Sequence, residues 1–364
     1  MIYTMFMDKM APGILRLSVM DNDLDLFEGQ YPVPQGVSYN SYLIEDDQLC
    51  LLDTVDARKQ EEWLAGLDEV LAGRKLDYLV ISHMEPDHAG SIAALCARQP
   101  QLKLVANART FAILDQFSGD EPLAQERVTV ADGGTLALGS HTLHFVLAPM
   151  VHWPEVMAVY EDREKVLFSA DGFGNFGSLT DTDAWADEAR RYYGNIVGKY
   201  GAQVQALLKK ASGIEISLIC PLHSFVWRRN LDSFINKYLL WSSYTPEESG
   251  VIIAYASIYG NTANAAEVLS AYLFDRGVRT VVYDVSVTPA SDIIAACFRF
   301  SHIVFAAPTY NSGIFVTMEA FLHDLAAHSL QNRTVAFIQN GSWAPTSGKQ
   351  MRAIIEPVSY THLR

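Results

Sequence analysis

The segment His83-Met84-Glu85-Pro86-Asp87-His88 places two imidazoles and two carboxylates within six positions, directly after the apolar run Leu79-Val80-Ile81. A strand that ends in a tight, proline-containing turn can aim alternate side chains at one point. Imidazoles and carboxylates are common ligands of divalent iron, manganese and zinc. The segment therefore predicts a metal site at the end of a strand. The alternative is a polar turn on the surface.

Three further polar residues follow predicted strands later in the chain. His152 lies in a loop between two prolines, Asp171 follows an apolar strand at 166–169, and His223 follows another at 216–220. Taken singly, each has an ordinary structural explanation, such as a hydrogen-bonded histidine or an Asx turn. Together with the first cluster they mark four strand ends in succession. This placement predicts that the residues converge at one pole of a sheet-based domain.

Hydrophobic periodicity predicts the elements that position these residues. A β-rich first part contains helices at 59–71 and 91–98, and it ends at an amphipathic helix near 231–241. The polar stretch 242–250 contains Pro246 and predicts a domain boundary. Beyond it, strands and helices alternate regularly over 251–338, which predicts a doubly wound parallel sheet with ligand loops at the carboxyl ends of its strands.

The first of these loops has the composition of a phosphate-binding site. Ser257, Tyr259, Gly260, Asn261 and Thr262 combine hydroxyls, a small residue and the start of a helix, where exposed amides and the helix dipole favour an anion. Two later loops could wall an aromatic ring, and they contain Pro308, Thr309, Tyr310, Asn311 and Gly313, and Asn340, Gly341, Ser342 and Trp343. Tyr310 and Trp343 could equally be core or surface aromatics.

Composition narrows the class of protein. A formal charge of −15 disfavours nucleic acid and anionic membranes as partners, because binding to phosphates needs clustered Lys and Arg. The four cysteines are scattered without CxxC spacing, so they predict buried thiols rather than a zinc or rubredoxin-type iron site. No signal peptide or membrane span is visible, and a cytoplasmic location is the expectation. The length of 364 residues predicts two domains.

These motifs, in this order, resemble those of the flavodiiron proteins, also called A-type flavoproteins. The resemblance spans nearly the whole chain. It rests on His83-x-Glu85-x-Asp87-His88, His152-Trp153-Pro154-Glu155, Ser169-Ala170-Asp171 with its glycine-rich turn, Pro221-Leu222-His223 and the cradle beginning at Ser257. It implies an α/β protein with an N-terminal metallo-β-lactamase-like αββα sandwich and a C-terminal doubly wound flavodoxin-like parallel sheet. The expected domains are 1–246 for a diiron centre and 250–357 for FMN.

The resemblance also implies roles for individual residues. His83, Glu85 and His152 would hold one iron, Asp87 and His223 the other, and Asp171 would bridge them. His88 either ligates the second iron or turns away. Related metallo-hydrolases carry a histidine where this chain has Glu85, and a carboxylate there favours redox chemistry over hydrolysis. Tyr193 resembles a tyrosine near the substrate pocket of the family, or it is a buried helix tyrosine.

The activity implied is reduction of dioxygen to water or of nitric oxide to nitrous oxide at the two irons, with electrons relayed by FMN. The partners implied are a separate rubredoxin or flavin reductase as electron donor and a second copy in a head-to-tail homodimer or dimer of dimers. The tail at 358–364 does not resemble the last strand and helix of a flavodoxin domain. We therefore expect this domain to be destabilised, with an exposed sheet edge.

Two other functions compete with this one. The first is a hydrolase of the metallo-β-lactamase fold with a flavodoxin-like accessory domain, which Glu85 and the intact phosphate cradle disfavour. The second is a flavin electron carrier without catalysis, which leaves the ligand residues without a purpose. The hydrolase would hold zinc or iron, and metal analysis is the measurement that separates it from the redox enzyme.

Overall fold

The structure of the chain is a computed structural model that describes residues 5–119, 122–177, 185–356 and 362–363. The chain divides into two compact units. The first contains Met1–Trp185 and Ala206–Ile235, and the second contains Ala186–Gln205 and Asn236–Arg364. Residues 186–205 and 236–246 thus group with the second unit, in part because Tyr193 packs against Phe298. The domain limits predicted from the sequence, at 246 and 250, stay a prediction.

The first unit is built on two sheets. The larger sheet has the order β1-β2-β5-β6-β7-β8-β9, and a hairpin of β3 and β4 stands apart from it. The pairing of β5 with β6 is antiparallel. From the pairing of β6 with β7 onward, the neighbouring strands up to β9 are parallel. The strands are Met5–Ala11 (β1), Ile14–Asp21 (β2), Leu26–Phe27 (β3), Tyr31–Pro32 (β4), Val37–Ile44 (β5), Cys50–Leu52 (β6), Tyr78–Val80 (β7), Lys103–Ala106 (β8) and Arg127–Thr129 (β9).

The second sheet has the order β10-β11-β12-β13-β14. It is antiparallel except for its last pair, β13 and β14, which is parallel. The strands are Thr135–Ala137 (β10), Thr142–Leu147 (β11), Met157–Glu161 (β12), Val166–Phe168 (β13) and Leu218–Cys220 (β14).

Apolar side chains from both sheets share one core. Ile14 and Tyr42 of the first sheet pack in the same buried cluster as Phe145, Val159 and Phe168 of the second. Fully burying a side chain of this size stabilises the fold by roughly 1.5–3 kcal/mol. Burial of these side chains therefore stabilises the face-to-face packing of the two sheets. This packing holds the carboxyl ends of β7, β13 and β14 in fixed positions.

Helices connect the strands. The helix α1 (Gln60–Leu71) buries Trp63, Leu64, Leu67 and Leu71, whose spacing follows the helical period. Ala72, the residue after it, has a φ of 49° and caps the helix. The α-helices are Gln60–Leu71 (α1), Pro86–Ala89 (α2), Ile92–Arg98 (α3), Ala108–Ser118 (α4), Trp185–Tyr192 (α5), Gly201–Ala211 (α6), Leu231–Ser242 (α7), Asn261–Phe274 (α8), Ala290–Arg299 (α9), Val316–Ala327 (α10) and Ser347–Ile355 (α11). None of the helices described combines the length and apolar character needed to traverse a bilayer.

The second unit contains a parallel sheet of order β16-β15-β17-β19-β20, with the short β18 paired antiparallel to β17. This order is that of a doubly wound, flavodoxin-like fold. Together with the sandwich of the first unit it confirms the predicted fold class. The strands are Glu248–Tyr255 (β15), Thr280–Asp284 (β16), Phe300–Tyr310 (β17), Gly313–Ile314 (β18), Thr334–Asn340 (β19) and His362–Leu363 (β20).

The six elements predicted between residues 251 and 338 agree with the structure. The sequence did not predict the helices α9 and α11 or the short strands β18 and β20. Residues 358–361 and 364 of the predicted tail lie outside the described residues. His362 and Leu363 pair with Thr334 and Val335 of β19, so part of the edge that was expected to be open carries a partner strand. The expected destabilisation of this unit stays a prediction.

Candidate metal centre and flavin loops

The turn after β7 presents the first four candidate ligands. Pro86 occupies the first position of the short helix α2, where its missing N–H costs nothing. Its ring disfavours a helical conformation for the preceding residue, and Glu85 is extended. Asp87 and His88 then lie within α2 and are buried. The strand end, the proline and the single helical turn explain why four candidate ligands fit into six residues.

Four of the predicted ligands form one group. The Nε2 atom of His83 lies 3.2 Å from Oε2 of Glu85 and 3.3 Å from Oδ2 of Asp171. The Nε2 atom of His152 lies 3.1 Å from the same Glu85 oxygen and 3.2 Å from the same Asp171 oxygen. Two imidazoles and two carboxylates thus direct one atom each at a common point.

Three predicted ligands form a second group beside the first. The Nε2 atoms of His88 and His223 lie 3.1 Å apart, and each lies 3.3 Å from Oδ2 of Asp87. The Oδ1 atom of Asp171 lies 3.1 Å from Nε2 of His88 and 3.6 Å from Nε2 of His223. Asp171 therefore turns one oxygen toward each group, and His88 faces the second group rather than turning away.

The donor atoms fit a pair of metal ions. Ligands bonded at about 2.1 Å around one ion lie roughly 3.0–3.4 Å apart, at octahedral or tetrahedral angles. The two groups show this spacing, and each can supply at least three ligand atoms within 4.8 Å of one another. Both carboxylate oxygens of Asp87 and Oδ1 of Asp171 are buried without accepting a hydrogen bond from the described residues. Buried acceptors of this kind are costly unless a cation satisfies them.

The electrostatics of the groups are strongly coupled. Burial raises the pKa of Asp171, but the imidazoles of His88 and His83 outweigh it and hold the pKa well below its usual value. Burial lowers the pKa of His88, but the carboxylates of Asp87 and Asp171 raise it to about 9. The carboxylates and imidazoles thus stabilise each other's charged forms. A divalent cation can replace the imidazole protons in this role, because metal ligation requires neutral imidazole and ionised carboxylate.

The histidine rings are held from behind by hydrogen bonds. The Nδ1–H of His223 donates to the backbone oxygen of Ser38 at 2.9 Å, and Nδ1 of His83 lies 2.9 Å from Oε1 of Glu155. In both residues this leaves Nε2 directed at the cluster.

A buried carboxylate also holds the chain just before the cluster. The N–H of Ser82 donates to Asp53 at 2.7 Å, and burial raises the pKa of Asp53 to about 6. The sequence analysis did not assign a role to Ser38, Asp53 or Glu155 individually.

The hairpin of β3 and β4 lies against the cluster. The ring of Phe27 packs edge-on against the His223 imidazole at 5.7 Å and against Phe176 at 5.4 Å. Glu28 has a φ of 49°, a region that residues other than glycine rarely adopt. Burial, followed by the nearby charge of Glu85, raises the pKa of Glu28 to about 7. Sequence reasoning missed this hairpin because its position along the chain does not link it to the ligand motifs.

The three loops that were predicted to bind FMN follow β15, β17 and β19. These strands are parallel neighbours, so their carboxyl ends meet at one edge of the sheet. The Nδ2 atom of Asn340 donates to Oγ1 of Thr262 at 3.1 Å. The Oγ1 atom of Thr309 accepts from the N–H groups of Thr346 at 2.8 Å and Ser347 at 3.1 Å. Hydrogen bonds thus join the first loop to the third and the second loop to the third.

The same loops combine an open helix start with exposed rings. Gly260 has a φ of 85° and directly precedes α8, and its N–H donates to Oγ of Ser257 at 3.1 Å. Tyr259, Trp343 and Tyr310 are 91%, 82% and 44% exposed. FMN has a phosphate that could bind at the start of the helix and a ring system that could stack on these aromatic side chains. The three loops therefore fit the predicted FMN site. The other predicted residues on the three loops are Asn261, Pro308, Asn311, Gly313, Gly341 and Ser342.

Tyr193 begins a π-helical segment, Tyr193–Val197, in the second unit. Its buried ring packs against Tyr238 at 5.1 Å, Trp241 at 5.4 Å and Phe298 at 6.1 Å. Burial, followed by the neighbouring phenols, raises its pKa well above the usual value. This environment is that of a buried helix tyrosine, which was one of the two interpretations of the sequence. A catalytic role for Tyr193 stays a prediction.

The fold and the site define a class of protein, in which a metallo-β-lactamase-like unit with a candidate metal cluster accompanies a flavodoxin-like unit. Residues 37–224, which are more than half of the chain, match the family model described as ODP family beta lactamase. The chain is 30% identical to the nitric oxide reductase of Moorella thermoacetica, over 88% of this chain and 82% of the relative. The chain belongs to the flavodiiron protein family.

Further comparisons agree. The chain is 29% identical to the anaerobic nitric oxide reductase flavorubredoxin of Pectobacterium atrosepticum, over 88% of this chain and 64% of that longer relative. Among solved structures, the rubredoxin oxygen:oxidoreductase from the anaerobe Desulfovibrio gigas matches with a TM-score of 0.90 and 26% identity, over 99% of this chain and 93% of the other. Relatives named as reductases and oxidoreductases support an oxidoreductase.

Proposed function

We propose that this protein is a flavodiiron oxidoreductase that reduces dioxygen to water, nitric oxide to nitrous oxide, or both. The observation that carries this proposal is the position of Asp171, whose two oxygens face two separate groups of ligand atoms. A carboxylate in this position can bridge two metal ions. Two adjacent ions that can each change oxidation state suit the reduction of a small gas molecule by more than one electron.

The first iron would be held by His83, Glu85 and His152, and the second by Asp87, His88 and His223, with Asp171 shared. Iron rather than zinc is proposed because the set contains three carboxylates, which are hard ligands that suit ferrous and ferric ions. When bound, the two ferrous ions would supply electrons to the gas molecule.

The surrounding residues orient the cluster and limit its contact with water. The backbone oxygen of Ser38 and the carboxylate of Glu155 fix the rings of His223 and His83. The rings of Phe27 and Trp153 pack edge-on against the same two imidazoles, at 5.7 Å and 5.4 Å. Apolar contacts beside the ligands lower the local dielectric, which strengthens the interaction of carboxylates with a cation.

FMN is proposed as the electron-transfer cofactor. Its phosphate would bind at the start of α8, near Ser257, Gly260 and Thr262, and its ring system would lie against Tyr259, Tyr310 or Trp343. The support is the junction of the three loops at one sheet edge, with two of these rings more than four-fifths exposed. FMN would pass electrons from the donor to the irons.

The electron donor is proposed to be a rubredoxin or a flavin reductase, and the location to be cytoplasmic. The names of two relatives, a flavorubredoxin and a rubredoxin oxygen:oxidoreductase, support a rubredoxin. Head-to-tail association of two copies, or a dimer of such dimers, would bring the flavin of one copy beside the irons of the other. These proposals rest on the family resemblance.

The test is a measurement of iron, zinc and FMN in the purified protein, followed by anaerobic reduction and separate exposure to dioxygen and nitric oxide. About two irons and up to one FMN per chain, with rapid reoxidation, are expected. The gas that reoxidises the protein faster identifies the main substrate. Zinc without iron, together with no reoxidation by either gas, would overturn the proposal and favour a hydrolase of the same fold.

A further inference from the structure

The side chain of Glu155 connects two of the three segments that carry the ligands of the first group. Glu155 lies three residues after His152, and its Oε1 atom is 2.9 Å from Nδ1 of His83 and 3.0 Å from the backbone N of Met84. The side chains of Glu155 and His83 are fully buried. One oxygen atom therefore holds both the ring of His83 and the backbone that follows it.

This contact determines which nitrogen of His83 is available to a metal. A carboxylate oxygen only accepts hydrogen bonds, so Nδ1 of His83 must carry the proton and donate it. With Nδ1 protonated, Nε2 is the nitrogen that can exchange its proton for a cation, and it faces Glu85 and Asp171 at 3.2 Å and 3.3 Å. A ring with the opposite tautomer would present an N–H to the cluster and could not bind a cation.

The backbone of Glu155 is also held in place. The Nδ2 atom of Asn107 donates to the backbone oxygen of Glu155 at 2.7 Å. The Oδ1 atom of the same Asn107 accepts from the N–H groups of Arg109 and Thr110, which caps the start of α4. The position of the carboxylate is therefore set by a helix end of the scaffold and not by the metal ligands alone.

One histidine of the first group and one of the second differ in the acceptor behind the ring. The Nδ1–H of His223, in the second group, donates to a neutral backbone oxygen of Ser38 at 2.9 Å, whereas that of His83 donates to a carboxylate at the same distance. A carboxylate attracts the Nδ1 proton more strongly, which makes the imidazole a more basic ligand. A more basic ligand stabilises the oxidised ion more than the reduced one.

We propose that Glu155 is a positioning residue of the metal centre, which fixes the tautomer of His83 and makes the His83–Glu85–His152 half the more readily oxidised of the two. This inference rests on the proposed function, because it concerns two redox-active ions held by these residues. It assigns different electronic properties to the two halves on the basis of this chain's own hydrogen bonds.

The test compares Glu155→Gln and Glu155→Ala with the unmodified protein. The glutamine keeps an oxygen that can accept from His83 and Met84 but removes the negative charge, and the alanine removes both. For Glu155→Gln we expect two bound irons, a higher midpoint potential and ferrous-ion affinity at the first position lowered by up to about 10-fold. For Glu155→Ala we expect an affinity loss of about 10- to 100-fold and iron content that falls toward one per chain.

The chain offers a matched control at Glu161. Its Oε1 atom lies 2.9 Å from Nδ1 of His141, both side chains are buried, and neither belongs to the ligand groups. The variant Glu161→Gln removes the same kind of buried carboxylate–histidine pair. We expect its iron affinity and midpoint potential to match those of the unmodified protein.

The outcomes separate the two proposals. If the unmodified protein binds no iron, the proposed function fails. If it binds two irons but both Glu155 variants retain its affinity and midpoint potential, the role of Glu155 is wrong while the proposed function stands. The role is also wrong if Glu161→Gln shifts the potential as much as Glu155→Gln does, because the effect is then a general result of losing a buried charge.

Discussion

At the scale of single residues, Glu85 carries the chemical distinction of the cluster. It faces both His83 and His152 through one oxygen, at 3.2 Å and 3.1 Å. It therefore adds negative charge to a group that would otherwise contain one carboxylate, Asp171. A carboxylate is a hard, negatively charged ligand that favours the ferric state of iron. An imidazole at the same position would suit zinc as well as iron.

The substitution Glu85→His tests this directly. We expect reconstitution from an equimolar mixture of iron and zinc to shift from mainly iron to mainly zinc, measured by elemental analysis. The rate of reoxidation by dioxygen or nitric oxide should fall about 100-fold or more. The reason is that the variant loses a carboxylate ligand that suits iron in both oxidation states. The exposed Glu126→His serves as a control and should bind metals as the unmodified protein does. An unchanged iron-to-zinc ratio in Glu85→His would contradict the argument.

At the scale of elements, the segment before β15 depends on one buried acid. Glu247 precedes β15 and has a 3% exposed side chain. It forms an ion pair with Arg190 at the end of α5 and another with Lys237 of α7, and it accepts from Nε1 of Trp241 at 2.7 Å. Two helices and a strand of the second unit are thus joined at a single carboxylate. A turn that the sequence marks as a polar boundary is, in the structure, a packed junction.

The substitution Glu247→Gln should lower the free energy of unfolding of the second unit by roughly 3 kcal/mol at pH 7. This value is at the lower end of the range for breaking a buried ion pair, because Arg190 keeps Asp187 as a partner. Burial raises the pKa of Glu247, but Arg190 and Lys237 outweigh it and hold the pKa below 4.5. The unfolded chain therefore binds the proton more readily, so this contribution is full above about pH 4.5 and is lost as the pH falls further.

Urea unfolding at pH 7 and pH 3.5, followed by tryptophan fluorescence, checks both parts of this prediction. The difference between Glu247→Gln and the unmodified protein should be large at pH 7 and smaller at pH 3.5. The neighbouring Glu248→Gln is the control, because Glu248 is 30% exposed and pairs with arginines near the surface. A difference that stays constant with pH would show that the charge of Glu247 does not stabilise the unit.

At the scale of the whole molecule, the candidate metal cluster and the loops proposed to bind FMN belong to units that have separate cores. The core of the first unit contains residues such as Tyr42 and Phe145, and that of the second contains Ile253 and Val304. The ligand residues of the cluster all belong to the first unit. We therefore expect the protein to keep its metal ions when FMN is removed. We expect the transfer of electrons from the donor to the metal ions to stop.

Removing FMN from the purified protein should leave about two irons per chain and stop reduction of the irons by a rubredoxin or a flavin reductase. Iron analysis and anaerobic stopped-flow absorbance measure the two effects, and adding FMN back should restore reduction. Reduction of the flavin-free protein by the same donor at an unchanged rate would show that electrons reach the irons without FMN.

The sequence by itself determined the ligand types and the local geometry of the first cluster. Four ligands within His83–His88 lie close together in any fold that places a strand before Pro86, because the chain between them is too short to separate them. The flavodoxin-like half was also predictable, since its alternating strands and helices are set by local hydrophobic period. The loop motif from Ser257 to Thr262 was found for the same reason.

Only the tertiary structure decided which distant residues meet. The strand ends predicted that His152, Asp171 and His223 converge with the first cluster, but their division into two groups depends on the packing of the two sheets and on the parallel pairing of β13 with β14. The contact of Glu155 with His83, the approach of Glu28 to Glu85 and the aromatic surroundings of Tyr193 depend on packing between segments far apart in the chain. Residue spacing carries no information about such contacts, because they arise from sheet register and side-chain packing rather than from local chain geometry.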